Sequence, residues 1–343
     1  IQNIISGLNA LDYRGYDSSG IAIADNNILS FHKSVGKISE LENKLHLSKP
    51  RGNIAIGHTR WATHGKPLEI NCHPFVKDNC ALVHNGIIEN FDELINSYSL
   101  DSNNLESSTD TEVIAEIYSK LLNEYNNPIE AILNLNKKIE GTFSFAFLVK
   151  GTRSIYATRQ GSPLILGLSE NFNSISSDVL GLPDETKNII FLEENDIVEI
   201  NNSSYSIFNK NGNSINRDKH PHVTNNEYRF KGNYKHFMQK EIFHQPISIE
   251  DTILNFFDKE TNSVFFPKIE VDFNNVPHLM LVACGTAYHS CMVAKYWLEQ
   301  FAEIPTSIDI GSEYRYRKDR LNKYTVGVVV SQSGETMDTL ECL

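Results

Sequence analysis

The sequence has no excess of basic residues. Its 31 lysines and arginines stand against 43 acidic residues, which gives a formal net charge of −12 and a pI near 5.5. Surfaces that bind nucleic acid or anionic membranes need a basic excess to neutralise phosphates. The composition therefore argues against both partners, although backbone amides can still hold a small phosphorylated ligand.

Long hydrophobic runs are also absent. Runs such as residues 279–283 and 326–330 are far shorter than the ~20 apolar residues of a membrane-spanning helix. The sequence therefore predicts that this stretch of chain does not cross a membrane.

Patterns for disulfides and metals are lacking as well. The five cysteines are odd in number and form no CxxC pair, which favours a reducing compartment, and hence the cytoplasm, over a disulfide framework. The histidines of the central motifs follow no zinc-binding spacing, and no HExxH motif occurs; they are His58, His64, His73 and His84. We expect no metal and no cofactor.

The length of 343 residues and the hydrophobic fraction of 40% are typical of a globular protein with two domains. Between residues 54 and 208, short apolar strands, hairpin signals and an amphipathic helix at 111–125 predict an α+β layered domain. A polar segment at 209–226 marks the boundary. Strand–loop–helix patterns at 278–301 and from 325 onward then predict an α/β doubly wound parallel sheet.

Asn85 and Gly86 are the first candidate site residues. Acyl transfer from an amide places negative charge on the amide oxygen, and an Asn side chain followed by a glycine N–H can supply two donors for it. The competing interpretation is a two-residue hairpin turn, for which Asn-Gly is a common sequence.

Charged residues near this pair suit an amino-acid substrate. Arg60 follows a predicted strand and could bind a carboxylate through two parallel hydrogen bonds. Asp110 could accept an ammonium group. The competing interpretations are an ordinary surface arginine and, for Asp110 within Thr109–Glu112, a helix capping box.

A loop rich in hydroxyl groups, Ser331–Thr336, lies between a predicted buried strand and a helix start, where free backbone amides favour an anion. Cys284-Gly285-Thr286 holds the equivalent position in the preceding unit, so two such loops would line one crevice. The loop predicts a phosphate site, and the competing interpretation is a cluster of helix N-caps.

Ordered motifs along the whole chain resemble the glutamine:fructose-6-phosphate aminotransferase (isomerising) family. They are Tyr13–Ser18, His58–Gly65, His84–Asn90, Thr109–Glu112, Met238–Ile242, Ala283–Thr286, Tyr314–Arg317 and Ser331–Thr336.

The resemblance implies an αββα N-terminal-nucleophile (Ntn) hydrolase domain of the type 2 glutamine amidotransferases over residues 1–225. A linker at 226–245 and an incomplete first sugar-isomerase (SIS) domain at 246–343 would follow. The implied enzyme makes glucosamine 6-phosphate and glutamate from fructose 6-phosphate and glutamine, the first step of hexosamine synthesis. Ammonia would pass between the two sites, and a homodimer is expected.

The resemblance also assigns roles to individual residues. Asn85 and Gly86 would form the oxyanion hole. Glutamine would be bound by Arg60, Trp61, His64 and Asp110, with Trp61 also gating the ammonia channel. The sugar phosphate would be bound by Thr286, Ser331, Gln332, Ser333 and Thr336.

Three departures from the family pattern lead us to expect a fragment that is itself inactive. The family's nucleophile, an N-terminal cysteine, would lie upstream of Ile1. Ala287 stands where the family usually carries a serine. The second isomerase subdomain would lie beyond Leu343. Two alternatives remain open: another Ntn-type amidotransferase, and a sugar-phosphate-binding protein without catalytic activity.

Overall fold

The computed structural model describes residues 1–12, 15, 17–25, 27–60, 68–101, 105–222, 233–258, 261–264, 275–317, 324–332, 334 and 336–343. The chain divides into two compact units, Ile1–Phe230 and Lys231–Leu343. This division lies within the segment 226–245 that the family resemblance implies as a linker, and a helix begins inside that segment at Phe237.

The first unit is built mainly from antiparallel strands. They are β1 Ser18–Asp25, β2 Ile28–Val35, β3 Ile54–Arg60, β4 Phe75–Val76, β5 Cys80–Ile88, β6 Gly141–Val149, β7 Ile155–Gln160, β8 Ile165–Leu168, β9 Asn173–Ser176, β10 Asn188–Phe191, β11 Ile197–Ile200, β12 Tyr205–Phe208, β13 Ser214–Ile215 and β14 His220–Pro221. Its helices are α1 Gln2–Ala10, α2 Ile38–Ser48, α3 Phe91–Ser97, α4 Asp110–Tyr125 and α5 Pro128–Asn136.

These strands form three sheets. One has the order β2-β1-β3, a larger one β13-β12-β11-β7-β6-β5-β4, and a third β14-β10-β8-β9. In the larger sheet, Gly86 of β5 lies opposite Phe143 of β6. In the smaller sheet, Arg60 at the end of β3 lies opposite Ser18 at the start of β1.

Alternating side chains on the central strands separate the layers, because successive residues of a strand point to opposite faces. On β6, Phe143, Phe145 and Phe147 pack with α4 and α5, whereas Ala146 and Leu148 pack towards β1 and β3. On the other face of the smaller sheet, buried isoleucines of β1 pack with α1 and α2. Helices therefore cover two sheets that face each other, which is the predicted αββα arrangement.

The second unit contains a parallel sheet of order β18-β17-β19. The strands of the second unit as a whole are β15 Phe257–Asp258, β16 Ser263–Val264, β17 His278–Ala283, β18 Thr306–Ile310 and β19 Thr325–Val330. Its helices are α6 Phe237–Phe256, α7 Gly285–Phe301, α8 Gly311–Tyr314 and α9 Met337–Leu340. Helix α7 packs through Cys291 on Leu281 and Ala283. The strand–helix order and parallel pairing agree with the predicted α/β architecture.

Within the described ranges, none of the helices combines the length and apolar character needed to span a bilayer.

Candidate active site

Asn85 and Gly86 lie inside strand β5, so the hairpin-turn interpretation of this pair is wrong. Gly86 has φ +145°, and a Cβ added there would lie 2.0 Å from the carbonyl oxygen of Thr142. This backbone conformation and close approach require glycine. The preceding residue, His84, packs on the helical face of the sheet, so alternation directs the Asn85 side chain to the opposite face, between the sheets.

Arg60 ends β3 and is only 7% exposed. The interpretation of an ordinary surface arginine is therefore wrong. Its carbonyl accepts a hydrogen bond from the Asp17 N–H at 3.1 Å, which extends the pairing with β1 by one residue. The positive charge of Arg60 acts on the neighbouring His58 and His73 and disfavours their protonation.

Asp110 is the first residue of α4. Its Oδ2 accepts the backbone N–H of Ile88 on β5 at 2.8 Å, so the first turn of this helix is tied to the strand that carries Asn85. The predicted capping box does not form: Thr109 makes no side-chain cap, and Glu112 accepts from the backbone N–H of Ser107 at 2.7 Å. A tertiary contact thus replaces the local motif.

Three histidines of the central motifs, His58, His73 and His84, lie close together. The rings of His58 and His73 lie 4.2 Å apart. His73 Nε2 and His84 Nδ1 approach the hydroxyl of Thr111 to 3.1 and 3.0 Å. Burial lowers the pKa of His73 well below its usual range, and it also lowers that of His84 against the opposing effect of Asp110.

Sequence patterns gave no sign of this cluster, because its members come from β3, β5, α4 and the segment before β4. The sequence suggests only a metal-binding role for these histidines, and only a place in a helix cap for Thr111. In the described part of the chain, no group of three or more His, Cys, Asp or Glu side chains is placed to hold a metal ion.

The neutral state of His58 predicts a loss of stability in acid. Burial, followed by the proximity of His84 and of the positively charged Arg60, lowers the pKa of His58 to about 3. The unfolded chain, with a histidine pKa of about 6.5, then binds more protons than the folded chain between pH 6.5 and 3. We expect His58 alone to remove about 2 kcal/mol of unfolding free energy between pH 7.5 and 5.0.

Denaturant unfolding of the wild type and of His58→Asn at both pH values measures this effect. The variant should lose about 2 kcal/mol less than the wild type on acidification. His46→Gln, a change at an exposed position of α2, is the control and should keep the full loss. Identical pH dependence in the wild type and His58→Asn would contradict the prediction.

The structure links Asp110 at the start of α4 to β5, the strand that carries Asn85 and Gly86. Arg60 lies at the end of β3, close to His58 and His73. Trp61 and His64, also predicted to bind glutamine, lie outside the described residues.

The predicted phosphate loops of the second unit follow neighbouring parallel strands. Thr286 is exposed in the first turn of α7, after β17, and Ser331 follows β19. Ser331 Oγ accepts the N–H of Gly334 at 3.0 Å and lies 3.2 Å from Thr336 Oγ1. Gln332 is exposed, Ala287 packs against the core of this unit, and Ser333 lies outside the described residues.

Two family profiles match the chain. The "Glutamine amidotransferase domain" profile matches residues 58–180, and the "SIS domain" profile matches residues 272–343. The first range contains Arg60, Asn85 and Asp110, and the second contains both hydroxyl-bearing loops. Another Ntn-type amidotransferase without a sugar-isomerase domain would not give the second match.

Curated relatives match almost the whole chain. Glutamine–fructose-6-phosphate aminotransferase (isomerizing) of Brucella abortus is 41% identical over 341 residues, which is 99% of this chain and 56% of the relative. The enzymes of the same name from Francisella tularensis and Wigglesworthia glossinidia brevipalpis are 41% and 42% identical over 99% of the chain. The chain spans about 56% of the length of these relatives.

Solved structures share the fold. The allosteric regulatory enzyme of purine biosynthesis matches 62% of this chain and 47% of its own, with a TM-score of 0.52 and 25% identity. Glutamine phosphoribosylpyrophosphate amidotransferase from B. subtilis covers 97% of this chain and 66% of its own, with a TM-score of 0.54 and 19% identity. Together with the relatives, these matches identify the chain as a homologue of the glutamine–fructose-6-phosphate aminotransferases, with a glutamine amidotransferase domain of the Ntn-hydrolase class followed by a SIS domain.

Proposed function

We propose that the first unit hydrolyses glutamine. The observation that carries this proposal is the arrangement around β5: Asn85-Gly86 lies in the strand, and Ile88 of the same strand holds Asp110. The carboxamide of Asn85 and the N–H of Gly86 donate to the developing oxyanion. Arg60 binds the glutamine carboxylate, and Asp110 binds its ammonium group.

Neither cysteine of the described first unit suits the role of nucleophile, because a thiolate is the reactive form. Cys72 and Cys80 are fully buried. Burial raises the pKa of Cys72, and it raises that of Cys80 to about 12. We propose instead an N-terminal cysteine outside these 343 residues, as the family resemblance implies, whose own α-amine serves as the base.

The second unit is proposed to bind the phosphate of fructose 6-phosphate. Its two loops follow neighbouring parallel strands, and their hydroxyl groups and backbone amides can hold an anion without a basic side chain. Thr286, Ser331 and Thr336, with Gln332 and Ser333, are the proposed contacts. The complete protein would use ammonia from glutamine to convert fructose 6-phosphate into glucosamine 6-phosphate.

Isotope transfer tests the proposed reaction. The protein encoded by the complete reading frame is incubated with fructose 6-phosphate and glutamine labelled with ¹⁵N in its side-chain amide. The label should appear in glucosamine 6-phosphate while glutamate accumulates in equal amount. Glutamate release without labelled sugar would leave a glutaminase and exclude the aminotransferase.

If the second unit recognises the phosphate group, it should bind fructose 6-phosphate but not fructose. Fructose 6-phosphate should shift the amide NMR signals of Gly285 and Gly334, whereas fructose should not. Ser331→Ala should weaken binding about fivefold or more, because the variant removes a hydroxyl that organises the loop and can donate to the phosphate.

Ser290→Ala is the matched control for this titration. Its hydroxyl is exposed on α7 and donates to the carbonyl of Thr286 at 3.3 Å, so its loss should leave affinity unchanged. Equal shifts with both sugars, or none with either, would mean that the loop is only a helix cap.

We also propose that the complete protein is a homodimer located in the cytoplasm. The cysteines are odd in number and form no CxxC pair, which fits a reducing compartment, and the dimer is expected from the family resemblance. Light scattering coupled to size-exclusion chromatography measures the assembly state, and a monomeric mass across the micromolar range would contradict the dimer.

A further inference from the structure

The hydroxyl of Thr111 joins three side chains of the first unit. It lies 3.1 Å from His73 Nε2, 3.0 Å from His84 Nδ1 and 3.2 Å from Asp110 Oδ1. Thr111 is 1% exposed, and both imidazoles are buried. Such a buried polar group is costly unless its hydrogen bonds are complete, so the direction of each bond can be derived.

A threonine hydroxyl has one proton to donate and two lone pairs that accept. A carboxylate only accepts, so the bond to Asp110 uses the Thr111 proton. Both imidazoles must then donate to Thr111 Oγ1, His73 from Nε2 and His84 from Nδ1. The remaining ring nitrogens, His73 Nδ1 and His84 Nε2, carry lone pairs, and these are buried without a hydrogen-bond partner.

Both histidines are neutral in this arrangement. A second proton on His73 would place an N–H where the structure provides no hydrogen-bond acceptor, next to the positive charge of Arg60. Burial opposes a second proton on His84. The opposite tautomer of His84, with its proton on Nε2 towards the carbonyl of Thr142, would make Nδ1 an acceptor. The Thr111 proton would then be drawn away from Asp110.

This network connects the two ends of the proposed glutamine site. His84 precedes Asn85 on β5, and Thr111 follows Asp110 on α4. The Ile88 N–H donates to Asp110 from the other side of the Asn85-Gly86 pair. Strand β5 and helix α4 are therefore joined by hydrogen bonds on both sides of Asn85-Gly86, at His84 and at Ile88.

We propose that Thr111, with His73 and His84 held neutral, is a positioning residue that fixes the Asp110 carboxylate relative to Asn85. The inference rests on the proposed glutaminase function, to which it adds the means by which the ammonium-binding and oxyanion-binding groups are kept in register. Thr111 and the two histidines do not touch the substrate and act through Asp110 and the backbone of β5.

Thr111→Val keeps the shape of the side chain and removes the hydroxyl. In the protein from the complete reading frame, we expect KM for glutamine to rise about tenfold or more, because Asp110 loses a charge-assisted hydrogen bond. The value of kcat should change much less, since the ammonium contact is made equally in the ground state and the transition state. Thr111→Ser restores the hydroxyl and should return KM to near the wild-type value.

Thr158→Val is the matched structural control. Thr158 is fully buried, and its hydroxyl accepts a hydrogen bond from Asn136 Nδ2 at 2.8 Å, so its loss should lower Tm without changing KM. A purely structural role for Thr111 predicts the same pattern in Thr111→Val. Unchanged KM in a folded Thr111→Val enzyme would overturn the proposal.

Imidazole ¹⁵N NMR of the wild-type protein provides a second readout that needs neither a variant nor activity. His73 should appear as the Nε2–H tautomer and His84 as the Nδ1–H tautomer, both unchanged between pH 8 and 6. The opposite tautomer of His84, or a charged ring, would overturn the proposal. A wild type with the expected tautomers but no glutamine hydrolysis would refute the proposed function and leave the hydrogen-bond network intact.

Discussion

Replacing Asn85 by alanine is expected to lower kcat for glutamine hydrolysis about 100- to 1000-fold, which corresponds to about 2.7–4 kcal/mol of lost transition-state stabilisation. The carboxamide donates to an oxygen that becomes negative only as the tetrahedral intermediate forms. Steady-state kinetics of glutamate release by the protein from the complete reading frame measures the effect.

Two further variants are expected to behave differently from Asn85→Ala. Arg60→Ala removes a contact to the substrate carboxylate, so its main effect should be on KM. Asn79→Ala removes hydrogen bonds to the Ser119 carbonyl and to Asn123, and it should lower stability without lowering kcat. If Asn85→Ala changed only KM, the oxyanion role would be wrong.

Gly86→Ala is expected to be the most destabilising of the proposed substitutions in this region. An L-residue at φ +145° is strained by about 1–3 kcal/mol, and a Cβ placed 2.0 Å from the Thr142 carbonyl oxygen adds about 1–3 kcal/mol of overpacking. The strands must separate to relieve the contact, so activity should be lost as well. Denaturant unfolding measures the loss of unfolding free energy.

Gly36 provides the matched control because it also has positive φ, +93°, but a Cβ added there would meet no atom within 4 Å. Gly36→Ala should therefore cost only the backbone strain of about 1–3 kcal/mol. Equal losses in the two variants would mean that crowding against β6 contributes nothing.

The sequence predicted those elements whose signal is local. The amphipathic pattern at 111–125 predicted α4 to within one residue of its observed bounds, Asp110–Tyr125. Strands β1 and β2 were missed, although β1 pairs with both β2 and β3. Helix α7 begins at Gly285, so the last two residues of the predicted loop Cys284-Gly285-Thr286 belong to the first turn of the helix.

The residues of the candidate site also differ in whether a local sequence pattern indicates them. Asn85, Arg60 and Asp110 were found because their motifs are contiguous, and the αββα arrangement came from family resemblance rather than from periodicity. The histidine–threonine network could not be predicted, since residues 73, 84 and 111 meet only after β5 and α4 have packed. The capping box failed for a related reason: Glu112 has the right spacing for a local cap, but the loop before α4 offers Ser107 instead.

Alternation along β5 has a consequence for how this gene can change. His84 and Asn85 serve opposite faces of one strand, so deleting or inserting a single codon between Cys80 and Val83 would turn the imidazole into the cleft and the carboxamide into the helical core. Such a change would preserve the reading frame yet exchange the faces to which the two side chains point. The Asn209–Asn213 turn is exposed and closed by its own hydrogen bonds, and it can accept length variation. We therefore expect natural variants of this protein to differ in length at that turn and to keep an invariant spacing from Cys80 to Ile88.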